Sequence, residues 1–331
     1  MARATTQQVD IQTSRVKGKA AGPRSVMSRR QHLKVLRSAS LAEASQRAYA
    51  SDIRHYRLHQ GRLPATPTQV ALYIAQWSPL HACATLSRRL AALDHWHRSQ
   101  GIASPIKSNI VQEAMRGARR IYGESQRQVR AITAKDLLLL VKAARQTSTS
   151  ARNNNQSDSA TRMLRDVALV LLGFSAALRR SELVALQISD LKVDQRGMTV
   201  HIRRSKTDPY GLGQRIQIPR GKRAALCPIR AVQAWIAHAE LSSGPIFRAV
   251  NRYGHVGTVG LNSQSVALIV KRLAALAWGA KAADEFSGHS LRAGFCTDAA
   301  QRGMSIFAIR QVTRHRSVES LGRYVRAETG E

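Results

Sequence analysis

Hydrophobic periodicity constrains this chain most. Over residues 41–122, and again over most of 133–313, apolar residues recur at the three- and four-residue steps of an α-helix. Strict alternation is confined to two short runs, 198–203 with Val200 and Ile202, and 215–219 with Ile216 and Ile218, separated by turn residues at 208–213. The pattern predicts a mainly α chain of two domains. In the first, Ala44, Ala48, Ile53, Tyr56 and Leu58 sit among Arg47, Arg54 and Arg57 up to Gly61; Thr68 caps a helix through Val70 and Trp77 that stops before Pro79. A third helix begins near Thr85 with Leu86, Leu90, Leu93 and Trp96 on one stripe, and a fourth spans 107–122. These make an N-terminal four- to five-helix domain over 39–122, preceded by a flexible basic arm over 1–38 and followed by a linker over 123–132. Residues 133–331 form an α+β domain with a small β-hairpin or sheet. It has a helix opened by Thr133, a Ser/Thr/Asn-rich loop at 147–159, an apolar helix at 162–176, a short helix, the hairpin, and an otherwise helical remainder that includes 263–278, 291–303 and 305–313.

Charge narrows the partner. The 331 residues carry 52 Lys plus Arg against 20 Asp plus Glu, a formal charge of +32, and self-repulsion on that scale asks for a polyanion. Nucleic acid is the default. A hydrophobic fraction of 44% excludes a disordered basic tail protein, and 5% aromatics argue against stacking platforms for single strands. Cys83, Cys227 and Cys296 have no metal-ligand spacing and read as small buried hydrophobes of a reducing compartment. His95 and His97 sit two apart on opposing sides of a helix, so neither a metal site nor any other cofactor is expected. The longest apolar run, 167–178, is too short for a bilayer and the N-terminus lacks an apolar signal region; the expectation is a cytoplasmic, DNA-associated protein without membrane contact.

Four stretches of the second domain carry chemistry. Leu178-Arg179-Arg180-Ser181-Glu182 sets an arginine one helical turn from a carboxylate; Lys206 lies where a hairpin tip projects it; His289 and Arg292 share a helix face; and Tyr324 follows His315 by nine residues. Singly, each has a bland reading. An Arg and Glu three apart usually form a solvated pair, a hairpin Lys usually meets a phosphate, and a Tyr usually packs.

In that order and spacing they resemble the tyrosine recombinase (phage integrase) family, and in length and domain order its Cre recombinase branch, over about residues 38–326. The resemblance implies that Arg179, Glu182, Lys206, His289, Arg292, His315 and Tyr324 are catalytic. Phenol attack on phosphorus conserves the diester as a 3′-phosphotyrosine, with neither metal nor ATP. Arg179 and Arg292 present paired N–H groups to the non-bridging oxygens, as a lysine cannot, and His315 adds a further donor. Lys206 protonates the departing 5′ oxygen, His289 assists proton transfer at the nucleophile, and Glu182 orients His289 or the arginines.

The implied function is site-specific recombination of duplex DNA through a Holliday junction, by a homo-tetramer on inverted-repeat sites gripped between two domains. A type IB topoisomerase-like or telomere-resolvase-like strand transferase, or a non-catalytic DNA-binding relative, are the alternatives. Arg47, Arg54, Arg88 and Arg89 in the first domain, and Gln264, Lys271 and Arg272 in the second, are the expected DNA contacts, Gln264 being suited to adenine. Only seven residues follow Tyr324, so the subunit-locking helix of Cre-type enzymes is expected to be missing.

Overall fold

Proline and hydroxyl caps frame the first half of the chain. The structure, a computed structural model, describes residues 28–322 apart from 125–127, 154–156, 206, 207, 209, 210, 316 and 320. It divides into two compact units, Met1–Gln126 and Arg127–Glu331. The first holds helices α1 (Arg29–Ala39), α2 (Glu43–Leu58), α3 (Pro67–Trp77), α4 (Cys83–Ser99) and α5 (Asn109–Tyr122).

Helix α3 starts two residues earlier than expected. Thr66 rather than Thr68 is its cap, exchanging bonds with Gln69 (3.3 and 3.0 Å), and Pro67 takes the first helical position, where its missing N–H costs nothing. Within 1–38, expected as a flexible arm, residues 29–38 are helical. Ser28 and Gln31 cap α1 reciprocally at 2.9 and 3.2 Å, while the exposed Leu33, Val35 and Leu36 were too few to register as a period. Tyr56, Val70, Ile74, Leu86, Leu93, Val111 and Met115 close the core of this unit. His97 is locked into it, its Nδ1 bonding the Leu93 carbonyl at 2.8 Å and its Nε2 accepting from the Ala65 N–H at 2.9 Å.

The second unit is built around α7 (Ser157–Ser175), whose stretch from Val167 to Leu172 is buried on all sides. Around it pack α6 (Ala134–Asn153), α9 (Pro228–His238) and α11 (Ser290–Gln301). Two close approaches depend on glycine. A Cβ on Gly294 of α11 would lie 1.7 Å from the Ile132 carbonyl, and one on Gly173 would meet Leu291 at 3.0 Å and Leu183 at 3.2 Å.

The loop expected at 147–159 is corrected: α6 runs on to Asn153 and α7 begins at Ser157. Ser, Thr and Asn each cost under about 0.7 kcal/mol relative to alanine in a helix, which the packing of α6 against α7 outweighs. The hairpin is a three-stranded antiparallel sheet in the order β1 (Leu191–Asp194), β2 (Gly197–Ile202), β3 (Gln214–Ile218), with Val200 opposite Ile216. Met198, Val200, Ile202, Ile216 and Ile218 face the core. A second pair, β4 (Arg248–Val250) and β5 (Val256–Gly260), stands where helix was expected; Asn251 folds the tip by accepting from the N–H groups of Tyr253 (2.8 Å) and His255 (3.0 Å). No residue of β4 or β5 is buried, so neither carries the apolar alternation that marks β2 and β3. The short α8 (Arg180–Ala185), α10 (Ser263–Trp278) and α12 (Ile306–Thr313) complete the unit.

Cys227 and Cys296 are buried and Cys83 half-buried, all three as free thiols. Among the described residues, no helix is long and apolar enough to cross a membrane, and no group of His, Cys, Asp or Glu could hold a metal ion.

Candidate active site

A left-handed residue makes the site possible. Helix α7 stops because Ala177 takes φ 46°, with the Leu178 N–H returning to the Gly173 carbonyl at 3.0 Å. The chain re-enters α8 at once with Arg179 as its cap, and the elbow turns the Ala177 carbonyl toward two guanidinium groups. Arg292 Nη1 donates to it at 2.7 Å and Arg314 Nη2 at 3.2 Å. Glu182, at the third helical position of α8, accepts from the Arg179 backbone N–H (Oε2, 2.8 Å) and from Arg179 Nη1 (Oε1, 2.6 Å). This pair is buried rather than solvated: the Glu182 side chain is 1% exposed and that of Arg179 19%.

Arg292, in the first turn of α11, is 1% exposed, and its Nη2 has no hydrogen-bond partner among the described residues. A buried guanidinium with a spare donor is expensive unless an anion completes it. Three residues before it, His289 takes the cap position of α11, an exposed residue whose ring is in part withdrawn from water. On the other side, His315 follows α12 and is half-buried. Its Nδ1 lies 2.8 Å from Thr313 Oγ1, and that hydroxyl gives its single proton to the Ile309 carbonyl at 2.7 Å. The hydroxyl can therefore only accept from the ring, which assigns the proton to Nδ1 and the lone pair of a neutral imidazole to Nε2.

The electrostatics have one sign. Burial, then the cations of Arg179 and Arg314, bring Arg292 down from 12.5 to about 10. Burial, then Arg292, Arg179, His289 and Arg314, bring His315 to about 3, so its ring is neutral at any physiological pH. His289 is lowered by partial removal from water and by Arg292, Arg180 and Arg179. Burial alone would raise the Glu182 carboxyl, but the Arg314 cation and the bonds from Arg179 hold it below the usual carboxylate range. The site is a concentration of positive charge around one carboxylate, shaped to receive an anion.

The profile of the phage integrase family matches residues 130–331, the whole of this unit bar its first three residues. The chain belongs to the phage integrase family. An integrase/recombinase XerD homologue of Selenomonas ruminantium is 36% identical over 296 residues, covering 86% of this chain and 82% of its own length. The Cre recombinase of Escherichia phage P1 is 26% identical over 288 residues, covering 81% and 78%. Of these two, the XerD homologue is the nearer, which moves the resemblance away from the Cre branch. A lambda integrase tetramer bound to a Holliday junction shares the fold, with a TM-score of 0.55 and 18% identity over 90% of this chain and 76% of that one. Membership makes this chain a tyrosine recombinase, an enzyme of DNA strand transfer.

Five of the seven expected catalytic positions, Arg179, Glu182, His289, Arg292 and His315, lie around this elbow. Lys206 and Tyr324 lie outside the described residues. Glu182 is engaged by arginines, Arg179 and Arg314. Arg314 was missed. As one more arginine in a basic segment it gives no signal in the sequence, yet it is 7% exposed and bonded to Glu182 Oε2 at 2.7 Å.

The expected DNA contacts divide. Arg47 and Arg54 are exposed on α2, the former 3.5 Å from Glu43, and Gln264 is exposed in the first turn of α10. Arg88 forks onto the buried Asp52 at 2.8 and 2.9 Å with its side chain half exposed. Arg89 corrects the expectation: it is 8% exposed and turns inward to within 3.9 Å of Asp52. The helical stripe carried it to the core side, where the carboxylate offsets its charge. Lys271 pairs with Asp284 at 3.0 Å, and Arg272 with the fully buried Asp166, which Arg165 also holds at 2.8 Å.

Proposed function

We propose that this chain is a site-specific recombinase in which Tyr324 attacks a phosphodiester of duplex DNA. The bond from phosphorus to the 5′ oxygen breaks as the phosphotyrosyl bond forms. The phenol's proton passes to a neutral imidazole, for which His289 is the candidate, and Lys206 gives a proton to the departing 5′ oxygen. Phenol has a pKa of about 10, so the attack needs both a proton acceptor and a cationic setting. Arg179 and Arg292 supply the latter by donating to the non-bridging oxygens. The free 5′ hydroxyl of a partner strand reverses the same step, so rejoining needs no ATP.

One observation supports this reading most: Arg292 is buried with an unpaired Nη2 beside Arg179 and Arg314, an arrangement that a phosphate oxygen would complete. His315 adds a feature of its own. Its lone pair at Nε2 must gain a proton before the ring can donate to phosphate, and the arriving negative charge favours that gain.

The assembly follows the family. A homo-tetramer working through a Holliday junction on a site with inverted repeats is our reading for this chain, with residues 39–122 as a DNA-binding domain, 133–331 as a catalytic domain and 123–132 as the linker between them. Residues 1–38 would add a basic arm.

Incubation with a nicked suicide duplex, from which the 5′ fragment diffuses away, tests the chemistry. Wild-type protein should form a 3′-phosphotyrosyl adduct that Tyr324→Phe does not; wild type that never forms one overturns the proposal. Relaxation of any supercoiled plasmid without strand exchange would instead indicate a topoisomerase-like enzyme.

A further inference from the structure

We infer that Arg314 is a positioning residue of this site, holding Arg179 in a phosphate-receiving posture by occupying one oxygen of Glu182. The inference rests on the strand-transfer reading given above.

The backbone is the first sign. Arg314 ends α12 at φ 59° and ψ 40°, a conformation that glycine takes without cost and a long side chain does not. Its guanidinium is then buried rather than released to water. It donates from Nη1 to the Val312 carbonyl at 2.6 Å and to that of Ala176 at 3.4 Å, and from Nη2 to Ala177 at 3.2 Å and Glu182 Oε2 at 2.7 Å. A cation at a strained, dry position with this many ties is over-determined, which is how functional strain is kept in place.

The carboxylate shows what the ties accomplish. A carboxylate facing a single arginine takes two parallel N–H groups in a fork. Here Arg314 and the Arg179 backbone N–H fill Oε2, so the Arg179 side chain reaches Glu182 only through Nη1 on Oε1. Arg179 Nη2 goes to the Arg314 carbonyl at 3.2 Å, and three of the five guanidinium N–H groups of Arg179 stay unpaired among the described residues. Without Arg314, Arg179 can rotate to fork Glu182 and withdraw its donors.

Two more contacts widen the role. Arg314 shares the Ala177 carbonyl with Arg292, so it spaces both phosphate-binding arginines. It also lines a cavity of about 240 Å³ with Ile202, Ser205, Asp208 and Gly213. His315 is its chain neighbour. The charged groups that bear on His315 are Arg292, Arg179, His289 and Arg314, so removing Arg314 takes away one of three arginines.

The test compares Arg314→Met and Arg314→Lys with wild type in three measurements: cleavage rate on the suicide duplex at saturating DNA, duplex affinity, and the pKa of His315 followed by NMR of its ring nitrogens. Arg314→Met should cleave at least about tenfold more slowly, since displaced reacting groups cost rate steeply. Its duplex affinity should stay within about threefold, because many other phosphate contacts persist, and the His315 pKa should rise. Arg314→Lys keeps a cation without the fork, so it should restore the low His315 pKa but only part of the rate. Wild-type rate and an unchanged His315 pKa in Arg314→Met overturn the inference. Should Arg314→Met fail to fold, Arg314→Lys decides: a lowered rate supports the role, and a full wild-type rate overturns it. Failure of wild type itself to form an adduct is a different result and rejects the reading of Tyr324.

Discussion

Replacing Arg292 with methionine should destroy cleavage without destabilising the fold. The guanidinium is 1% exposed, and its pKa falls from 12.5 to about 10 through burial and the cations of Arg179 and Arg314. At about 1.4 kcal/mol per pKa unit, the folded state resists this cation by on the order of 3 kcal/mol. The bond from Nη1 to the Ala177 carbonyl offsets roughly 1.5–3 kcal/mol of that, a typical value for a charged donor. Methionine removes both terms, fills most of the volume, and leaves Ala177 its bond from Arg314 Nη2. The net change is a gain of between zero and about 1.5 kcal/mol, or a rise of up to about 6 °C in the melting temperature of a unit of some 200 residues. Arg292 stays charged in both folded and unfolded states near pH 7, so the comparison holds across neutral pH. Cleavage of the suicide duplex should fall about 10²- to 10³-fold, the cost of one preorganised donor at a developing oxyanion. Calorimetric melts and adduct formation on the same preparations provide the readouts. A melting temperature lowered by more than about 5 °C would show that Arg292 supports the fold, and retained cleavage would show that it does not serve the phosphate.

Glu182, held below its unfolded value of 4.5, contributes stability that is present above that pH and lost as pH falls through the folded value; urea titrations of Glu182→Gln should show a flatter acid limb than wild type. Duplex binding should take up a proton at His315, whose free value is about 3, so affinity should rise as pH falls; calorimetry in two buffers of different ionisation enthalpy would measure it, and no uptake would contradict the proposed donor role. Asp166→Ala strands the buried Arg165 and should cost about 3–5 kcal/mol in chemical denaturation. Arg54→Ala should weaken binding evenly across duplexes and reduce the salt slope by about one unit, whereas Arg89→Ala should chiefly lower the melting temperature of the N-terminal unit.

The helices were readable because burial imposes a period over ten or more residues: Leu86, Leu90 and Leu93 mark α4 with no knowledge of its neighbours. β1, β4 and β5 were not, because none of their residues is buried and no core face writes an alternation into them, and their pairing is a long-range fact. The catalytic candidates were named from spacing, and five of the seven positions lie around one elbow, whereas Lys206 and Tyr324 lie outside the described residues. Arg89 and Arg314 failed for one reason. Guanidinium groups look alike in a sequence with 52 basic residues, and whether one is solvated or buried depends on the carboxylate that waits for it. Asp52 and Glu182 are those carboxylates, and both are buried. In a chain with only 20 acidic residues, a buried carboxylate was the better signal to follow.

The buried carboxylate also explains why the site tolerates so much like charge. Glu182 anchors Arg179 and Arg314, but it balances only one of them, and Arg292 has no carboxylate of its own. Each shifted cationic or potentially cationic group, Arg292, Arg314, His289 and His315, is shifted the same way, toward losing its proton. Burial is the largest cause in each case and the neighbouring arginines push the same way, so the folded protein holds buried cations that one carboxylate does not fully offset, a deficit that an anion from outside would relieve. A scissile phosphate supplies one negative charge in the ground state and a greater charge density on its oxygens at the transition state. The relief it brings therefore grows along the reaction coordinate, which is the condition for binding energy to appear as rate rather than affinity.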